Sequence, residues 1–209
     1  MKRLLLSSAS QGISALSSLV PGETRGLRFL FVPTAAGPGG EEKDWVQRDR
    51  RELDHLGCDV TILDLRTAEM GEVEQAVGRV DGVFLSGGNA FLLLRHVLRS
   101  GFAEQVVPLV DAGSLLYVGT SAGAVVAGPG LIPEVSPENR AAVPELESTE
   151  ALGLVDVTIL PHDQEPERSA LHDEIVAAHP ERQFVRLTDE RAVLVRGAAI
   201  EIVDASPLA

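Results

Sequence analysis

Ser121 lies in the run Gly119-Thr120-Ser121-Ala122-Gly123-Ala124. This run follows the apolar stretch Leu115-Leu116-Tyr117-Val118 directly and leads into Ala124-Val125-Val126-Ala127. A strand, then G-x-S-x-G, then a helix is the context in which a serine is forced into a strained backbone shape at a tight turn. Small residues two positions to either side are needed because strand and helix pass close together there. Such a turn lifts the hydroxyl above the carboxyl edge of a sheet and aims the N–H of Ala122 where an oxyanion would form. The chemistry expected is attack of Ser121 on an acyl carbon. A glycine-rich turn that only connects, or one that binds phosphate, shares the bare pattern; the strand–helix setting favours the nucleophile.

A second oxyanion donor is expected from Ser86-Gly87-Gly88-Asn89, at the end of another strand. Two adjacent glycines let the backbone approach a ligand closely, so the N–H of Gly88, or else of Gly87, is the candidate. A plain tight turn capped by Asn89 is the competing reading. Asn89 is placed with the substrate-binding residues as well as at the start of the next helix.

A serine hydroxyl is a poor nucleophile at neutral pH and needs a base that titrates near it. Of five histidines, His55, His96, His172 and His179 fall in or at the ends of predicted helices among charged neighbours and read as solvated surface residues. His162 instead follows Val157-Thr158-Ile159-Leu160-Pro161, in a loop opening on the carboxyl edge of the sheet, where α/β ligand sites collect. Asp163, Asp189 and Glu190 are the candidates for the acid that orients it. The last two stand at a strand-to-loop junction and are preferred. The repetition of His162-Asp163 and His172-Asp173 does not give a recognised metal-ligand spacing, and no metal or cofactor is expected.

The elements that must position these residues alternate along the chain. Residues 4–9, 27–32, 58–65, 80–86 and 115–119 read as buried strands. Residues 41–56, with Trp45, Val46, Leu53 and Leu56 on one face, read as a helix that Gly57 ends, as do 90–99, 102–111 and 166–178. A strand at 155–160, and two or three strands over 184–203 with Gly197 at a hairpin, complete the series. Pro129 to Glu150 is a Pro- and Glu-rich loop. Alternation of this kind implies βαβ units in a single α/β domain spanning 1–209: a doubly wound, mostly parallel sheet with helices on both faces.

Composition narrows the partners. The formal net charge is −13 and the mean hydropathy is +0.12. Nucleic acid and anionic membranes need clustered Lys and Arg, so neither is expected. A lone cysteine, Cys58, excludes an intramolecular disulfide and suits a reducing compartment. The apolar start at Leu4-Leu5-Leu6 stops too soon for a signal peptide, and no stretch approaches transmembrane length, so a soluble cytoplasmic protein, monomer or homodimer, is expected.

Taken together and in this order, Val83-Phe84-Leu85-Ser86-Gly87-Gly88-Asn89, Tyr117-Val118-Gly119-Thr120-Ser121-Ala122-Gly123-Ala124, Leu160-Pro161-His162 and Leu187-Thr188-Asp189-Glu190 resemble the dipeptidase E and cyanophycinase family of serine peptidases. The resemblance covers nearly the whole chain and implies a fold like that of class I glutamine amidotransferases, related to flavodoxin. It implies a triad of Ser121, His162 and Glu190, with oxyanion N–H groups from Gly88 and Ala122. The expected activity is that of a serine exopeptidase cleaving short peptides, including dipeptides with N-terminal aspartate, and Arg168 is the cation that would meet the aspartyl side chain. The family's additional aspartate after the serine has no counterpart here, since Pro133 to Glu138 offers only glutamates. A serine esterase, and a small-molecule binder that keeps this fold without turnover, are the rival readings.

Overall fold

A strand covered on both faces needs apolar side chains at consecutive positions, and the central strands are built that way. The computed structural model describes residues 1–205. Its strands are β1 (Arg3–Ser7), β2 (Arg28–Val32), β3 (Asp59–Ile62), β4 (Gly82–Leu85), β5 (Leu116–Thr120), β6 (Val157–Pro161), β7 (Gln183–Leu187), β8 (Arg191–Arg196) and β9 (Ala199–Asp204). Its helices are α1 (Leu16–Leu19), α2 (Asp44–His55), α3 (Met70–Val77), α4 (Ala90–Arg99), α5 (Phe102–Asp111), α6 (Ala122–Val125), α7 (Pro137–Ala141) and α8 (Pro166–Ala178).

Seven strands form one sheet in the order β3-β2-β4-β5-β1-β8-β9. The first five of these run parallel, and β8 and β9 close one edge as an antiparallel hairpin turning at Gly197. Successive residues divide between two cores. Leu4 and Leu6 join Leu85, Tyr117 and the buried faces of α3, α4 and α5; Leu5 joins Phe29, Phe84, α1 and α2 on the opposite face. Each such side chain stabilises the fold by about 1.5–3 kcal/mol relative to exposure, which is why the sheet resists a register slip. This is the doubly wound, mostly parallel sheet that the alternation predicts.

β6 and β7 pair parallel to each other in a separate two-stranded sheet. The carboxyl ends of β4, β5 and β1, neighbours in the large sheet, therefore face the loops that leave β6 and β7. That junction holds the site.

Helical stretches go beyond the sequence reading at residues 10–19, in α3, and in the Pro129 to Glu150 segment read as a loop, where α7 (Pro137–Ala141) forms. Residues 10–19 turn first as a 3-10 helix and then as α1, and α3 buries Val73 and Val77. Glu72 starts α3 by accepting the Glu69 N–H at 2.9 Å. Helix α2 begins at Asp44, later than predicted, behind a 3-10 turn at Gly40–Glu42. Its buried face is Val46, Asp49 and Leu53, while Trp45 is exposed, contrary to the apolar face expected for it. His172, read from sequence as a solvated residue, is fully buried on the inner face of α8.

Candidate active site

Ser121 is the N-terminal cap of α6, with φ 47° and ψ −108°, a conformation few non-glycine residues hold. Close packing keeps it there. A Cβ on Gly119 would stand 2.4 Å from the Gly123 backbone, and one on Gly123 would stand 2.0 Å from the Leu85 carbonyl oxygen. The Ser121 N–H is fixed by Ser7 O at 2.9 Å, and the buried Tyr117 hydroxyl donates to Gly123 O at 2.7 Å. The elbow is thus the one the sequence predicts, and its glycines are steric necessities.

His162 leaves β6 with φ 63°, also in the left-handed region. Its Nε2 lies 3.0 Å from Ser121 Oγ, and its Nδ1 lies 2.7 Å from Asp189 Oδ1. A carboxylate only accepts, so Nδ1 carries the proton and Nε2 is left to accept from the serine hydroxyl. The hydrogen bond from His162, joined by one from Ser8, holds the Asp189 carboxyl below the usual carboxylate range despite partial burial. The family expectation names Glu190 as the acid, whereas the carboxylate that meets His162 in this structure is Asp189. The chain turns at Thr188–Arg191, where the Arg191 N–H donates to Thr188 O at 3.0 Å, so adjacent side chains diverge; Asp189 meets the histidine and Glu190 is exposed.

Asp163 serves a different partner. Its Oδ1 accepts from His172 Nδ1 at 2.7 Å and from Arg186 Nε at 2.8 Å, and its N–H donates to Leu187 O at 3.0 Å. Burial alone would push Asp163 up, but the bonds from His172 and Arg186 outweigh it and hold the carboxyl below its ordinary range. Burial pushes His172 down, so the ring is neutral beside an ionised Asp163. The acid beside His162 in sequence therefore anchors the loop, and the carboxylate at His162 Nδ1 is Asp189.

The Ser86-Gly87-Gly88 loop faces Ser121: a Cβ on Gly87 would stand 3.3 Å from Ser121 Cβ. Gly88 has φ 142°, and a Cβ there would strike Ala35 O at 2.2 Å, so the backbone shape requires glycine. Among the described residues, no acceptor takes the N–H of Gly87, Gly88 or Ala122, which leaves these donors free for an oxyanion. Asn89 does not join the site. Its Oδ1 caps α4 by accepting from Phe91 and Leu92, its Nδ2 donates to Asn139 O at 3.0 Å, and it lies off the cleft wall. The cleft has a volume of about 630 Å³; Arg168 and Glu138 stand in its wall with Trp45, Phe91 and Leu131. Cys58 is no rival nucleophile, since burial pushes its thiol up to about 11. Among the described residues no three His, Cys, Asp or Glu side chains gather as a metal ion would need. No helix among them is long and apolar enough to cross a membrane.

Two residues escaped the sequence reading. Ser8, fully buried after β1, accepts the His162 N–H at 2.8 Å and donates to Asp189 Oδ1 at 2.6 Å, tying the large sheet to base and acid together. Asp49 accepts from three hydroxyls below the elbow. Its spacing with Val46 and Leu53, three and four residues away on the buried face of α2, was the available signal.

An α/β fold that sets a serine on a strained strand-to-helix turn, against a histidine held by a carboxylate, defines a serine hydrolase. Residues 4–203 match the model of Peptidase family S51; the chain belongs to that family and is a serine peptidase. A crystal structure of a Listeria monocytogenes protein named for peptidase E superposes with a TM-score of 0.86 at 28% identity, covering 99% of this chain and 100% of that one. Peptidase E of Streptomyces coelicolor is 31% identical over 90% of this chain and 75% of its own length. A Drosophila melanogaster protein named probable alpha-aspartyl dipeptidase is 33% identical over 79% of this chain and 71% of its own.

Proposed function

We propose that this chain is an exopeptidase of short peptides, dipeptides with N-terminal aspartate foremost, acting through Ser121, His162 and Asp189. The observation that carries the reading is the unbroken chain of hydrogen bonds from Ser121 through His162 to Asp189, opening on a cleft with a cation in its wall. Ser121 Oγ attacks the scissile carbonyl as His162 Nε2 takes its proton. The oxyanion draws on the N–H groups of Gly88 and Ala122, and Asp189 stabilises the imidazolium without itself being protonated. His162 then returns the proton to the leaving amine. Water, deprotonated by the same nitrogen, hydrolyses the acyl-enzyme.

Arg168 supports an acidic substrate residue. Its nearest carboxylate is Glu165 at 3.9 Å, too long for a hydrogen bond, so the guanidinium retains donors for a ligand. Glu138, in the same wall, is held below the usual carboxylate range by its own N–H and the Ser136 hydroxyl, and is a counter-charge for a free α-ammonium. The name of the Drosophila relative agrees with this reading.

A dipeptide panel varying only the N-terminal residue tests it. Asp-X is expected to be the best substrate. Arg168→Met should lower kcat/KM for Asp-X roughly 10²-fold while sparing neutral dipeptides, since a charge-assisted pair in a partly dry cleft contributes a few kcal/mol. Equal losses on acidic and neutral dipeptides, or none on either, would reject Arg168 as the specificity residue.

A further inference from the structure

We propose that Asp49 is a positioning residue that fixes nucleophile, oxyanion donors and the Ser8 hydroxyl relative to one another; the proposal rests on the hydrolytic reading above. Asp49 is 2% exposed on the inner face of α2. Its Oδ1 accepts from Ser10 Oγ at 2.7 Å, and its Oδ2 accepts from Ser86 Oγ at 2.6 Å and Thr120 Oγ1 at 2.8 Å. These three donors lie at or just past the carboxyl ends of β1, β4 and β5, Thr120 being the last residue of β5, and these strands are adjacent in the sheet. Each stands one or two residues from a group the chemistry uses. Ser10 follows Ser8, Ser86 precedes Gly87 and Gly88, and Thr120 precedes Ser121. The same helix grips the glycine loop a second time, through Trp45 Nε1 donating to Gly87 O at 3.1 Å.

Stability alone does not account for a carboxyl group here. Between Val46 and Leu53 an apolar side chain would be buried at less cost, and burial drives the Asp49 carboxyl up against the pull of its three hydroxyl partners. What a carboxyl group provides, and an apolar one cannot, is two acceptor atoms that hold three independent loops to one point. Oxyanion donors must sit within a few tenths of an ångström of the developing charge, and that tolerance is set by how these loops are tied.

The test reads both dipeptide turnover and the rate at which a fluorophosphonate labels Ser121, on variants whose folded fraction is measured. Asp49→Asn, and Thr120→Val, which removes one donor at nearly constant shape, should each lower kcat and the labelling rate roughly 10-fold or more with KM within about twofold. Thr120→Ser, which restores the donor, should recover most of the Thr120→Val loss. If Asp49→Asn does not fold, Ser86→Ala and Thr120→Val carry the comparison, since each leaves the carboxyl group two donors. Variants that label and turn over like the parent, per folded molecule, overturn the proposal while the hydrolytic reading stands. A parent that does not label at all overturns that reading, and this inference with it.

Discussion

Ser121 and His162 both hold left-handed backbone, with φ of 47° and 63°, but they are kept there by different means. On the serine side the backbone shape is restrained sterically, since Gly119, Gly123 and the Leu85 carbonyl approach so closely that the elbow has nowhere else to go, and Asp49 adds a polar tie beneath it through Thr120 and Ser86. On the histidine side the restraint is polar. His162 leaves a two-stranded sheet, and its loop is held by Ser8 on its N–H and by Asp163, which joins β7 and α8 through Arg186 and His172. Close-packed backbone is stiff and local, whereas a network of side chains from four elements is only as firm as its weakest ionisation state. Ser121 is therefore set mainly by close-packed backbone, and His162 mainly by side chains that titrate.

The largest effects should come from breaking the two sides where they meet. Ser121→Ala keeps the fold, because alanine fits the elbow, and should lower kcat by roughly 10³-fold or more on the best dipeptide. His162→Ala should match it, since nucleophile and base act as one unit. Near-parental turnover in either variant would remove that residue from the mechanism.

The same contrast explains how far the sequence could be read. The serine side was legible because its restraint is local: G-x-S-x-G after an apolar strand states both the conformation and its cause within a few residues. The alternation of strands and helices made the sheet legible for the same reason, and the place of His162 just after β6 could be read from it too. The histidine side's support was not legible, because Ser8 and Asp189 are 181 positions apart and meet only once the two sheets are assembled. Which of Asp189 and Glu190 faces His162 depends on the direction of a side chain in a turn, which spacing does not contain. Asp49 was hidden by a rule that usually holds, that charges on an amphipathic helix face solvent.

The next effect in size sharpens that choice of acid. Asp189→Asn removes the carboxylate charge that stabilises an imidazolium and can turn an amide N–H toward His162 Nδ1, favouring the wrong tautomer, and should lower kcat roughly 10³-fold. Glu190→Gln, at an exposed position, should stay within about threefold of the parent. The reverse ranking would restore Glu190 and reject the hydrogen bond at 2.7 Å as the working one.

The smallest effect separates anchoring from chemistry, and its sign follows from burial. The folded pKa of His172 lies below the ordinary histidine value of about 6.5 because the ring is buried; Arg186 and Arg168 add to this and Asp163 opposes it. Between the two values the unfolded chain binds the extra proton, so His172 contributes stability that is full above about pH 6.5 and is lost as pH falls toward its folded value. Asp163 and Asp189, both held low, do not add to this window; their contributions are lost only below the ordinary carboxylate range. His96 is lowered by burial too and shares the window. Asp49, raised by burial, acts in the opposite direction in parent and variant alike, so the His172 contribution is read from melting both proteins at pH 7.5 and pH 5.5 and taking the difference between their shifts. Relative to His172→Gln, which keeps a donor for Asp163 but cannot titrate, the parent's Tm should move further toward destabilisation at pH 5.5, while the variant's kcat at pH 7.5 changes by less than about threefold. An identical shift in both proteins would assign the acid sensitivity elsewhere. A large kcat loss at pH 7.5 would mean that the polar clamp on the His162 loop governs the chemistry as strictly as the packed elbow governs Ser121.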